Sequence, residues 1–205
     1  ARKNNIKKVI FFSSGGTVYG IPRNTPISED YPTNPICSYG IHKLAIEKYL
    51  HFYYHNYGID YAILRISNPY GERQDFHGHQ GAVSVFSYKA LKKEPVEIWG
   101  DGLIVRDYIH VSDVISAAVA LLWYKGDYKV FNIGSGIGMS LLEVVHAIEK
   151  VVEYSVKLKF MPARDVDTPV NILDVVRAKR FLSWSPKVNF REGIDWTIRY
   201  IASSM

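Results

Sequence analysis

A tyrosine and a lysine stand four residues apart in Cys37-Ser38-Tyr39-Gly40-Ile41-His42-Lys43, and that spacing places both on one face of a helix. An ammonium held beside a phenol stabilises the phenolate and lets it accept a proton at neutral pH. The pair is therefore a candidate general base with its electrostatic partner. Upstream, Ser13-Ser14-Gly15-Gly16-Thr17-Val18-Tyr19-Gly20 brings aliphatic hydroxyls directly after Lys8-Val9-Ile10-Phe11-Phe12, an apolar run that predicts a buried strand. Hydroxyls at the carboxyl end of a parallel strand stand where open α/β sheets bind ligands. Tyr-x-x-x-Lys alone occurs by chance in many helices, so its meaning depends on the elements that position it.

From Ile21 to Pro35 the chain carries Asn-Thr-Pro, Tyr-Pro and Asn-Pro steps, which disfavour helix and predict a long surface loop. The Tyr39 helix is expected to end at Tyr57, where Gly58 supplies a stop, with Ile41, Leu44, Ala45, Tyr49 and Phe52 as its apolar face. Next, Tyr61-Ala62-Ile63-Leu64-Arg65-Ile66 is an apolar run broken by one arginine, the pattern of a strand buried on both faces of a parallel sheet. It delivers Asn68 to the ligand edge. The polar stretch from Pro69 to Gly81 marks a domain boundary. Beyond it the pattern predicts helices over 82–91, 113–124, 175–182 and 192–201, and strands over 96–99 and 157–160. Trp184 and Trp196 fit core anchors better than ligand-stacking groups.

The chain has 205 residues, 47% of them hydrophobic, enough for one sizeable core or two small ones. Its net charge of +5 is scattered, which suits an anionic small substrate and gives no basic run or aromatic-basic ladder for nucleic acid. Cys37 is the only cysteine, so neither an internal disulfide nor a cysteine metal cluster can form. No signal peptide or long apolar span is present, and a soluble cytoplasmic protein is the expectation. His51 and His55 are spaced i, i+4, but no glutamate follows His51 as in a metalloprotease helix; no metal site is expected there or at His77-Gly78-His79.

Four motifs in order, Ser-Ser-Gly-Gly-Thr-Val-Tyr-Gly, Tyr-Gly-x-x-Lys, Leu64-Arg65-Ile66-Ser67-Asn68-Pro69-Tyr70-Gly71 and Arg106-Asp107-Tyr108-Ile109-His110-Val111, make the chain resemble the extended short-chain dehydrogenase/reductase family. Within that family it looks most like the nucleotide-sugar 4-epimerases. The resemblance implies an α/β fold: the second part of a Rossmann-type doubly wound parallel sheet, with a smaller α+β substrate lobe. Residues 1–72, with 107–133 returning, would complete the dinucleotide-binding domain, and residues 73–205 would form the nucleotide-sugar lobe. The Gly-rich turn that opens a dinucleotide fold is not found, so about half of the cofactor domain is expected to be absent and this chain alone inactive. Gly134-Ser135-Gly136-Ile137-Gly138 has the wrong spacing to replace it. The family position makes it a turn and helix start.

The roles that follow are likewise implied by resemblance. Tyr39 removes the proton from the sugar O4 while the C4 hydride passes to NAD. Lys43 tunes the tyrosine and hydrogen-bonds the nicotinamide ribose, and Ser13 joins Tyr39 and Lys43 in holding the cofactor. The hydroxyl that shares the O4 proton is Ser14, with Thr17 as the alternative. Gly15 and Gly16 occupy positions where nucleotide-sugar 4,6-dehydratases carry an acid pair, and glycine cannot donate a proton; dehydration is disfavoured. Asn68 and Arg106, with Arg164 and Asp167, are assigned to the UDP moiety, a guanidinium suiting diphosphate oxygens and a carboxylate suiting ribose hydroxyls. Asn171 stands where a tyrosine confines related epimerases to UDP-glucose and UDP-galactose, so a smaller amide there implies room for N-acetylated sugars. The complete protein is expected to be a homodimer with a UDP-sugar as substrate and no membrane partner.

Overall fold

The computed structural model describes residues 4, 6–78, 80–163 and 168–205. Strand β1 (Lys8–Ser14) leads through the proline-rich loop to α1 (Ser38–Tyr57), then β2 (Asp60–Ile66) and β3 (Asn68–Tyr70). Next come α2 (Ala82–Leu91), β4 (Val96–Trp99), β5 (Val105–His110), α3 (Val111–Trp123) and β6 (Val130–Ile133). The chain ends with β7 (Gly138–Ser140), α4 (Leu141–Val152), β8 (Leu158–Met161), β9 (Val170–Asn171), α5 (Val176–Leu182) and α6 (Phe190–Ser203).

One sheet runs β1-β2-β6, all parallel. Side chains alternate across a strand, and β2 shows what each face does. Ala62, Leu64 and Ile66 join Val114, Ala117 and Leu121 of α3, Phe131 and Ile133 of β6, and Trp184 in one buried cluster. Ile63 and Arg65 face the other way, toward α1. A second sheet joins β3, β5, β7 and β9, with Asn68 opposite Tyr108 and Arg106 opposite Asn171. β4 and β8 form a parallel pair. The remaining core gathers α2, α4 and α6 around Val96, Ile98, Tyr70 and Tyr108.

α1 ends where expected: Gly58 takes a left-handed conformation and its N–H reaches the Tyr54 carbonyl. Its buried face is not the expected one. Ile41, Tyr49 and Phe52 are exposed, and the buried residues of the helix are Gly40 and Glu47. Arg65 is buried in β2 and needs a buried counter-charge, so the helix turns Glu47 inward and leaves the apolar residues roughly opposite. Leu44 alone of the five packs at the edge of a small cluster around Val18, Tyr19, Ile27 and Leu173. α3 starts two residues earlier than expected because the His110 ring caps it, accepting from the Ser112 N–H. Trp184 is buried and donates to the Asp113 carbonyl and Ser116 Oγ, whereas Trp196 stands partly exposed beside the His110 ring. Among the described residues no helix is long and apolar enough to cross a membrane.

Candidate active site

Tyr39 lies in the first turn of α1 with its ring half exposed, and Lys43 follows one turn later. The Lys43 ammonium donates to the Phe12 carbonyl of β1 at 2.7 Å and sits 5.4 Å from the Tyr39 ring centroid. One backbone acceptor at the strand terminus thus holds the cation beside the phenol ring. The close approach of this turn depends on Gly40: a methyl group built there would stand 2.9 Å from both the Pro35 side chain and the Thr17 carbonyl oxygen. A side chain at 40 would push Tyr39 away from the hydroxyl loop.

Ser14, Gly16, Thr17, Cys37 and Tyr39 line one wall of a cleft of about 1070 Å³, and Asn68 and Arg106 line another part of it. The structure brings these sequence-predicted residues together. Asn68 donates from Nδ2 to the Asp107 carbonyl at 3.0 Å, which fixes its amide at the sheet edge. Arg106 donates to the carbonyls of Val105 and Thr168 at 2.9 and 2.5 Å. Asp107 and Asp113, the carboxylates that follow Arg106 in the chain, are engaged by other groups. Asp113 accepts from the N–H groups of Lys187 and Val188. Asp107 is buried inside the Gly134-Ser135-Gly136 turn and accepts from the Ser135 N–H, the Ser135 hydroxyl and the Gly136 N–H. Burial pushes the Asp107 carboxyl up from its ordinary range against the pull of these donors. The glycine loop that could be mistaken for a phosphate cradle is a nest already filled by this carboxylate.

Two predicted residues stand away from the cleft wall. Ser13 is buried, its hydroxyl donates to Glu47 at 2.5 Å, and it does not line the cleft. Asn171 is buried beneath the Gly15 turn, donating from Nδ2 to the Gly15 carbonyl at 3.3 Å, and its Oδ1 has no partner among the described residues. Arg164 and Asp167 lie outside the described residues. Of the two candidate hydroxyls, Ser14 and Thr17 both reach the cleft, and the Thr17 Oγ1 is buried with no partner among the described residues. A Cβ at Gly15 would meet the Leu173 side chain at 2.5 Å, so a hydroxyl-bearing residue there would require Leu173 to shift.

The sequence reading missed a polar assembly behind this wall. Arg65 forks onto Glu47, with Nη2–Oε2 at 2.7 Å and Nε at 3.2 Å from each carboxylate oxygen. Its Nη1 donates to the Tyr19 hydroxyl at 3.0 Å, and that hydroxyl donates to Asn132 at 2.7 Å. Burial pushes Tyr19 up to about 12, so it stays a neutral donor. Burial disfavours the Arg65 charge, yet the fork with Glu47 and the Tyr19 contact outweigh it and raise its pKa. The signal was present in part: Glu47 follows Tyr39 at i+8 and Lys43 at i+4, on the same helix stripe.

Residues 1–134 match the family described as "NAD dependent epimerase/dehydratase family". The chain belongs to that family, and the extended short-chain dehydrogenase/reductase resemblance stands. It is 40% identical over 200 residues to the UDP-glucose 4-epimerase of Mycolicibacterium smegmatis, covering 98% of this chain and 64% of that protein. It is 39% identical to a dTDP-4-dehydro-6-deoxyglucose reductase of Escherichia coli, covering 97% of this chain and 63% of that protein. The UDP-glucose 4-epimerase of Thermotoga maritima, solved with UDP-glucose, superposes with a TM-score of 0.95 at 39% identity, over 98% of this chain and 65% of that one. The chain thus spans slightly less than two thirds of the proteins it matches.

Proposed function

We propose that the complete protein is an NAD-dependent 4-epimerase of a nucleotide-diphosphate sugar. The observation that carries this reading is the convergence of the Tyr39 phenol, two hydroxyls, Asn68 and Arg106 on one cleft, with the Lys43 ammonium held beside the Tyr39 ring. Bound NAD supplies the hydride acceptor and donor for the sugar C4, and Tyr39 and Lys43 would hold its nicotinamide ribose. The donor set fits that group, with a cation and a phenol at the carboxyl end of β1 and the Thr17 hydroxyl, which has no partner among the described residues. Tyr39 accepts the O4 proton, shared through Ser14 or Thr17, and holds it while the keto-sugar turns. It then returns the proton to O4 as the opposite face of C4 is reduced, so the net change is inversion. Arg106 and Asn68 hold the nucleotide end so that the sugar can turn without leaving.

Tyr39→Phe in the complete protein should cut turnover about 10²-fold or more while nucleotide-sugar binding changes little; near-normal turnover would overturn the assignment. The similarity to a dTDP-4-dehydro-6-deoxyglucose reductase favours one second reading, reduction of a 4-keto nucleotide sugar on the same scaffold. Chromatography separates the two: a C4 epimer formed without consumption of reduced cofactor supports epimerisation.

The sugar range extends, in this reading, to the N-acetylated pair. Asn171 supports the Gly15 turn from beneath, and an amide there is smaller than the tyrosine ring that the resemblance associates with exclusion of N-acetylated sugars. Native protein should interconvert UDP-N-acetylglucosamine and UDP-N-acetylgalactosamine, and Asn171→Tyr should abolish that reaction while sparing UDP-glucose. Loss of both reactions together with a fall in melting temperature would instead mark Asn171 as structural support.

A further inference from the structure

Arg65 breaks an otherwise apolar strand and is 6% exposed, a placement that is unfavourable unless every donor is used. Its arms tie together separate segments around the candidate site. Through Nε and Nη2 it holds Glu47, which sits two helical turns after Tyr39 and one after Lys43 on the same stripe of α1. Through Glu47 Oε1 it reaches the Ser13 hydroxyl, where the hydroxyl loop leaves β1. Through Nη1 it reaches the Tyr19 hydroxyl near the other end of that loop, and the Glu29 carbonyl at 3.3 Å. The guanidinium therefore spans both the helix that carries the base and the two ends of the loop that carries Ser14 and Thr17. Few apolar contacts duplicate this work, since the buried residues of α1 are Gly40 and Glu47. A planar fork fixes rotation about the helix axis as well as distance, which an apolar contact does not.

We propose that Arg65 and Glu47 are positioning residues that set the distance and angle between the Tyr39–Lys43 pair and the hydroxyl loop. The inference rests on the epimerase reading above. Neither residue lines the cleft, so each acts through the elements it joins. Losing the fork should lower kcat and leave KM nearly unchanged, because the nucleotide-binding groups Asn68 and Arg106 lie on other strands.

The test uses the complete protein with UDP-glucose. Arg65→Lys keeps the charge but not the fork; Glu47→Gln keeps the shape but not the charge. Each should lower kcat by roughly 10-fold to 100-fold with KM within about 3-fold, and each should speed amide exchange in residues 39–43 more than in α4. Tyr19→Phe removes one arm and leaves the ion pair, so it decides the question if the other variants do not fold: kcat should fall about 3-fold to 10-fold at unchanged KM. Unaltered kcat and unaltered exchange at 39–43 in a folded Tyr19→Phe protein overturn the proposal, as does a rise in KM without loss of kcat in any of the three. Tyr39→Phe measured alongside separates the two levels. If it stays active the epimerase reading itself fails; if it is inactive while the positioning variants turn over normally, only this inference fails.

Discussion

α1 and α4 are held by opposite means. α4 buries Val144, Val145 and Ile148 in the core of α2, α4 and α6, a face that tolerates small shifts because hydrophobic burial is non-directional. α1 buries Gly40 and Glu47 and exposes Ile41, Tyr49 and Phe52. Its position is set by a close backbone approach at one end and a charged fork in the middle. The helix that, in the proposed function, presents the base is fixed by directional contacts, and α4 is fixed by area. Precision is placed where the chemistry would need it, at the risk of a large loss if one partner goes.

That contrast can be broken by substitution. Glu47→Ala leaves the Arg65 charge buried without its partner and should cost about 3–5 kcal/mol in denaturant unfolding of the complete protein. Replacing both Glu47 and Arg65 by Met should recover most of that loss, since two apolar groups leave no stranded charge. Ile148→Ala, in the apolar lobe, should cost about 3 kcal/mol, and no companion substitution of opposite polarity should rescue it. If the double Met protein is no more stable than Glu47→Ala, the polar account of α1 is wrong.

A smaller effect sharpens the comparison from the α4 side. Ser140 and Glu143 form a reciprocal capping box at the start of α4, and Ser140→Ala should cost about 1 kcal/mol. The N–H and hydroxyl of Ser140 hold the Glu143 carboxyl below its ordinary value of 4.5. A depressed acid stabilises the fold above its unfolded pKa and loses that share as pH falls through the folded value. The Ser140→Ala penalty measured by thermal unfolding should therefore shrink below pH 4.5, and a penalty independent of pH would show that the carboxylate plays no part in it.

By itself the sequence determined the elements that local rules govern. The Tyr39–Lys43 spacing, the stop at Gly58, the buried run of β2 and the helix over 82–91 follow from periodicity and from glycine's left-handed conformation, all within a few residues of chain. The tertiary structure alone decided which face of α1 turns inward, why Arg65 interrupts β2, and that Asp107 fills the glycine turn at 134–136. Arg65 and Glu47 are 18 residues apart, and Tyr19 and Asn132 are 113 apart; such pairings have no period to betray them. A buried charge takes its meaning from the partner the fold brings to it, and one buried arginine outweighed four apolar residues in choosing how a helix sits.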